Sequence, residues 1–456
     1  MNFSSSLYYR VVFAFSMMLT LLLTSEVFGQ ETDFEKPNVE ALQKQIDDLK
    51  STVDTLNGEA SQIGPQANVE DENGNDTIIT WDPAPRFETR DGRFSFETNG
   101  RMIYDYGIVN FKDGDGVSMP ADKINGTELR ALEFGVRGTI LRDFDYRLVT
   151  KFVNNEVEVK LAYVDYSVGK FNIIVGQTRT FTSLEKSTPS PNTSFSSRAA
   201  FLNALRIKPR VGVGVSTHGD NWTASGGYFF ETLETTNSSI DDHNMITSRL
   251  TFSPTFDNGV ALHFGTSFFQ RNRNGNGFEL GYSDRPFSHQ GDLKPLSSQA
   301  FNLTSEQFYG FEFVTTYNSF ALQSEFGIIK NKLSASEVLT STDPTYKGGY
   351  LEISYFLTGG ERVINGSRAR FYDVDVKSPV GEGGIGEVKV AGRYDMMDFT
   401  HETFGNKQGS YIFGIDWYLN NYMKIQGNYA HTTVKNYLNQ KTNLVNTFNL
   451  RFQIDW

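Results

Sequence analysis

A chain of 456 residues with formal charge −12, no cysteine and 14% aromatic residues excludes several classes of protein at once. Without cysteine there is no disulfide scaffold, thiolate zinc site or thiol nucleophile, and without repeated apolar runs of about 20 residues there is no helical membrane bundle. The 38 Phe and 21 Tyr beside 4 Trp, with 41 Gly and only 13 Pro, favour many strands over long helices.

In chain order, the first predicted element is a secretory signal over residues 1–29. Arg10 precedes the 13-residue, largely apolar stretch Val11 to Leu23, and Val27-Phe28-Gly29 offers small-residue cleavage chemistry. Residues 34–57 follow as a short periplasmic coiled coil. Val39, Leu42, Ile46, Leu49, Val53 and Leu56 alternate steps of three and four, an a/d seam that needs partner helices and therefore predicts oligomerisation. β-Branched residues at a with Leu at d nominally favour two strands. Residues 58–85 are polar and acidic and are expected to form a flexible linker. Glu31 to Pro85 carries 13 acids against 3 lysines, a net of −10, while Arg10 and Glu26 cancel, so residues 86–456 account for only −2.

From Arg93 the hydrophobic period becomes 2. Phe94, Phe96, Met102, Tyr104, Tyr106 and Ile108 share one phase; Arg93, Ser95, Glu97, Asn99, Arg101 and Asp105 share the other. The pattern returns at Val157, Val159, Leu161 and Tyr163 against Glu158 and Lys160, and at the carboxyl end, where Phe448, Leu450, Phe452, Ile454 and Trp456 oppose Asn449, Arg451, Gln453 and Asp455. Strands are predicted at 93–108, 129–141, 144–154, 157–168, 171–178, 208–217, 221–231, 245–254, 259–270, 308–317, 320–332, 347–357, 387–399, 410–418, 421–434 and 444–456, sixteen in all. Tight connections such as Arg142-Asp143, Gly169-Lys170 and Asn318-Ser319 alternate with long ones such as 109–128, 179–207 and 271–307. Short turns on one rim and long loops on the other predict an all-β fold, a 16-stranded antiparallel transmembrane β-barrel over residues 86–456. The connection 358–386 is a long exception on the short-turn rim. A barrel this wide leaves an aqueous lumen unless loops plug it, and its polar phase would line that lumen. The expected function is passive conduction across a bacterial outer membrane, with lipid and lipopolysaccharide as surroundings, no cofactor and no nucleic acid.

Glu128 to Leu184, ELRALEFGVRGTILRDFDYRLVTKFVNNEVEVKLAYVDYSVGKFNIIVGQTRTFTSL, resembles the phosphate-selective porin O and P family. So do TGGERVINGSRARFYDVDVKSP, VKVAGRYDMMDF, and the closing GIDWYLNNYMKIQGNYAHTTV and NTFNLRFQIDW. The resemblance covers nearly all of 86–456. It implies a homotrimeric porin and phosphate or polyphosphate as solute, which suits the coiled coil as an oligomer device rather than the two-strand preference of its seam. It also places Arg130, Arg179 and Lys377 at basic positions of the family pattern, whereas Ala131 and Glu133 stand where further basic residues are usual.

Anion preference requires fixed cations at the narrowing of a pore, because phosphate must exchange hydration for Lys and Arg donors. The connection Arg179 to Arg210 holds Arg179, Lys186, Arg198, Arg206, Lys208 and Arg210 against Glu185 alone, a net of +5. At about 8 Å and an effective dielectric near 20, each charge is worth roughly 2 kcal/mol to a unit anion. The alternative is a basic loop solvated outside the barrel. Arg101, Arg137 and Arg393 lie in the polar phase of their strands and are further lumen candidates, each singly favouring a satisfied wall residue over an anion ligand. No enzyme is expected: His218, His243, His263, His289, His401 and His431 form no i, i+4 pair with a glutamate, and no G-x-S-x-G elbow occurs. A non-selective general porin and a structural or adhesive barrel with a closed lumen remain alternatives.

Overall fold

Alternating residues in a strand point to opposite faces, and this chain uses that rule to separate lipid from lumen. The computed structural model describes residues 67–70, 76–114, 123–153, 156–233, 243–273, 278–338, 341–436, 438 and 440–456. The expected signal peptide and the coiled-coil residues Val39 to Leu56 lie outside them.

Sixteen antiparallel strands form the wall: β1 Ser95–Lys112, β2 Lys123–Ile140, β3 Phe144–Val153, β4 Glu156–Val168, β5 Phe171–Thr178, β6 Arg210–His218, β7 Trp222–Phe229 and β8 His243–Phe252, then β9 Val260–Arg273, β10 Phe301–Tyr317, β11 Phe320–Leu333, β12 Thr345–Phe356, β13 Glu387–Asp398, β14 Asn406–Tyr418, β15 Met423–Asn436 and β16 Thr442–Asp455. Each pairs with the next, and β16 pairs back onto β1 from Leu444↔Lys112 to Asp455↔Arg101, which closes the cylinder and removes both edges. The seam ends on Trp456, whose N–H and C=O exchange hydrogen bonds with Gly100. A Cβ on Gly100 would overlap the Trp456 ring, so only glycine admits this closing aromatic.

The outer face carries exposed apolar side chains, among them Phe134, Leu250, Phe311, Leu351, Phe413 and Leu450. The inner face buries Gln177, Arg249, Glu312, Glu325, Glu352 and Asp416. Asp76–Trp81 pairs with Pro85–Thr89, which pairs in turn with the start of β1, so the last part of the expected linker is ordered sheet. Thr77-Ile78-Ile79-Thr80-Trp81 is a β-prone run that acidic composition alone conceals.

Of three register shifts in the wall, one falls at Thr304 in β10 and two others shift the expected alternation. The register slips between Ile103 and Tyr104 opposite Arg130, and between Val149 and Thr150 opposite Lys160. A bulge inserts one extra residue and re-aims the side chains beyond it. Leu161 is therefore buried on the inner side, while Val157 stays exposed outside; the expectation that Leu161 shares the lipid face with Val157 is corrected on this ground.

Candidate functional site

Three connections occupy the lumen. The first is 179–209, between β5 and β6, which carries the one-turn helices α1 Leu184–Ser187 and α2 Ala200–Ala204. Wall carboxylates hold both helix starts, where N–H groups lack intrahelical acceptors. The N–H groups of Leu184 and Glu185 donate to the Glu325 carboxylate at 2.9 Å each, and the Ala200 N–H donates to Asp395 at 3.2 Å. Phe195, Phe201, Leu202 and Leu205 then pack against the inward-facing Phe229, Phe269, Phe308, Tyr346, Met397 and Ile412 of strands β7 to β14. Glycine makes the room: a Cβ on Gly348 would sit 2.6 Å from the Phe201 Cβ. One arc of the lumen is thus an apolar core, which the expectation of a uniformly polar lining did not include.

The second connection, 278–300, spans from β9 to the opposite wall. Thr447 Oγ1 donates to the Pro286 carbonyl at 2.8 Å and Asn406 Nδ2 to the Pro295 carbonyl at 2.7 Å. The third is the exceptional segment 357–386, which enters from the short-turn rim and meets the first. Arg362 donates to Gln323 at 2.7 Å, to Glu352 at 3.1 Å and to the Asn192 carbonyl at 3.2 Å, with its guanidinium 3.6 Å from the Phe371 ring centre. Asn192 Nδ2 donates to Asp373 at 2.7 Å.

The other arc, β16 and β1 to β5, adds charged residues to those buried on β8 to β14. Arg101 pairs with Asp455 and donates to Ser190 Oγ at 3.1 Å, touching the first loop. Arg130 sits at the first bulge with Arg451, Glu128, Asp105 and Arg285 as electrostatic neighbours. Arg137 is half exposed and pairs with Glu97 at 2.5 Å. Arg451 grips Asp105 with two 2.7 Å hydrogen bonds.

Arg179, Lys186 and Arg198 differ from Arg101, Arg137 and Arg451. Among the described residues none of the three has a carboxylate at salt-bridge distance; Arg198 donates only to the backbone carbonyls of Glu185 at 2.9 Å and Thr188 at 3.0 Å. Burial, reinforced by Arg198, pushes the Lys186 amine down to about 7. Burial, reinforced by Arg198, Arg101, Arg370 and Arg147, pushes the Arg179 guanidinium down to about 9. The Asp284 carboxyl near Lys186 is pushed well above the usual range by burial, which weakens it as a counter-charge. Crowded, desolvated cations of this kind are stabilised by an incoming anion. A lowered amine loses its charge as pH rises through its pKa, so anion preference is expected to decline between pH 6 and pH 8. Reversal potentials measured across that range, with Lys186→Met removing the pH-dependent part, check this.

The remaining sequence candidates separate. Arg206 is exposed and donates to Ser283 Oγ, Lys208 is exposed, and Lys377 is exposed on the third segment. Arg393 is buried, paired with Glu185 at 2.5 Å and Glu352 at 2.6 Å, and its charge is spent on clamping the first loop to β12 and β13. Sequence reasoning did not single out Arg147, Arg285, His289, Arg370 or Arg451. His289 is held well below the usual imidazole range by burial, then by Arg130 and Arg285. Only the alternation phase of Arg147 and Arg451 signalled a lumen position. Ser253, His263 and Glu312 form a hydrogen-bonded row at 2.8 and 3.0 Å, but His263 is fully buried and Glu312 already neutralises Arg249.

A closed sixteen-stranded wall, apolar outside and filled from both rims by charged loops, defines an outer-membrane porin. The chain belongs to the phosphate-selective porin O and P family, whose sequence model matches residues 96–456. It is 24% identical over 395 residues to Porin O of Pseudomonas aeruginosa, covering 78% of this chain and 87% of that one. An uncharacterized protein of Caulobacter vibrioides is 28% identical over 364 residues, covering 78% and 71%. Among solved structures, Pseudomonas putida OprB superposes with a TM-score of 0.51 at 8% identity over 80% of this chain and 95% of that one. The anion-selective porin from Comamonas acidovorans gives 0.49 at 13% identity over 80% and 100%. Family and barrel indicate a channel rather than an enzyme.

Proposed function

We propose that the chain forms an anion-preferring diffusion pore for phosphate or polyphosphate. The observation that carries this reading is the cluster Arg179, Lys186 and Arg198, which lacks carboxylate partners among the described residues while Arg101, Arg137, Arg393 and Arg451 are paired. Arg130 and Arg147 on that arc and Arg370 on the third segment extend it as a series of positive stations, beside Arg101, which is paired with Asp455. Several weak stations suit conduction better than one deep site, because an ion must leave as readily as it enters. Phosphate added at millimolar concentration to channels carrying chloride is expected to reduce the current saturably. Undiminished chloride current would mark a general pore.

The apolar cluster between the first loop and strands β7 to β14 favours a second reading, a barrel closed for structural or adhesive purposes. Absence of any conductance in a planar bilayer would establish it over the pore.

Assembly as a homotrimer, with the amino-terminal segment in the periplasm, is part of the same proposal. It is supported by the seam Val39, Leu42, Ile46, Leu49, Val53 and Leu56. Deleting Val39 to Leu56 is expected to lower the trimer fraction on native gels; an undiminished fraction would assign assembly to the barrel wall.

A further inference from the structure

The bulges at Arg130 and Lys160 each place one more side chain on the lumen side of the wall than simple alternation allows, and both residues are cations, unlike Thr304 at the third register shift. Their fates differ. Arg130 makes no salt bridge among the described residues, whereas the Lys160 amine is bonded to Glu133 Oε1 at 2.5 Å. Glu133 is the carboxylate of a continuous cross-strand row: it stands directly opposite Arg101 on one side and Lys151 on the other. Its side chain is only 10% exposed and that of Lys160 24%, so both meet the lumen in a water-poor setting where charges are felt strongly.

We propose that Glu133 is a specificity-determining residue that limits the anion preference of this pore by cancelling the charge of Lys160. The inference rests on the reading of the lumen as an anion path. A solute anion passing this row must compete with Glu133 for the donors of Lys160 and is repelled by the carboxylate itself. Without Glu133 the row Arg101, Lys151, Lys160 would gain one unit of net positive charge beside Arg179, although Asp455 still pairs with Arg101 and Glu158 stands opposite Lys151.

Glu133→Gln tests this, because the amide oxygen still accepts a hydrogen bond from Lys160 and the volume is kept. In the full-length porin at 0.1 M KCl, the anion-to-cation permeability ratio from zero-current potentials is expected to rise roughly tenfold, the size of one nearby charge at an effective dielectric near 20. Lys160→Met alone should lower the ratio, since it leaves Glu133 uncompensated, and the double variant should return close to wild type. Heat-modifiable gel mobility verifies that each variant forms a barrel. A Glu133→Gln ratio that is unchanged or lower in a folded, anion-preferring pore overturns the role of Glu133 alone. A wild-type pore that prefers cations, or does not conduct, overturns the reading beneath it.

Discussion

Replacing Arg179 with Ala and Lys186 with Met together is expected to shift the zero-current potential of the pore strongly toward cations. Neither side chain donates a hydrogen bond to another described residue, so little of the loop depends on them, while both stand partly buried among further positive charge. At about 8 Å and an effective dielectric near 20, each is worth roughly 2 kcal/mol to a unit anion, so the pair should lower the permeability ratio at 0.1 M salt by at least about tenfold. The effect should shrink at 1 M, where the screening length falls to about 3 Å. Arg206→Ala with Lys208→Ala, at exposed positions of the same connection, should change the ratio less. Equal effects from the two pairs would show that the path does not run past Arg179.

Arg393→Met is expected to release the first loop without opening the barrel. The variant leaves Glu185 buried without its charged partner and Glu352 with Arg362 alone, and removes the guanidinium stacked 4.1 Å from the Tyr350 ring centre and 4.9 Å from that of Phe195. Removing one partner of a buried pair costs about 3–5 kcal/mol, and the loop, tied to the wall by side chains rather than by the ladder, takes that cost first. Limited proteolysis should cut within 179–209, and single-channel records should show larger, noisier currents, while heat-modifiable mobility stays that of a folded barrel. Unchanged protection and current noise would mean that Glu325, Asp395 and the apolar contacts hold the loop unaided.

The wall was legible because period 2 is a local signal: β5 and β14 to β16 lie within a few residues of their expected places. β10 begins at Phe301 rather than 308 because Thr304-Ser305-Glu306-Gln307 reads as loop while serving as strand beyond the apolar band. The bulges at Arg130 and Lys160 were not legible, since one extra residue leaves composition unchanged and declares itself only in register. The charge of 179–209 was visible, but its course into the lumen was not. That course depends on Glu325, Asp395 and Gly348, distant in sequence and brought together only by closure. The same holds for segment 357–386, whose entry depends on Arg362 meeting Gln323 and Glu352.

Whether the charged arc of the lumen carries anions in preference to cations is decided by the reversal potential of the wild-type porin in a tenfold KCl gradient at pH 6. A potential with the sign of chloride selectivity is expected from the unpaired cations of the first loop. A potential with the sign of potassium selectivity, or a barrel that passes no current, would contradict it.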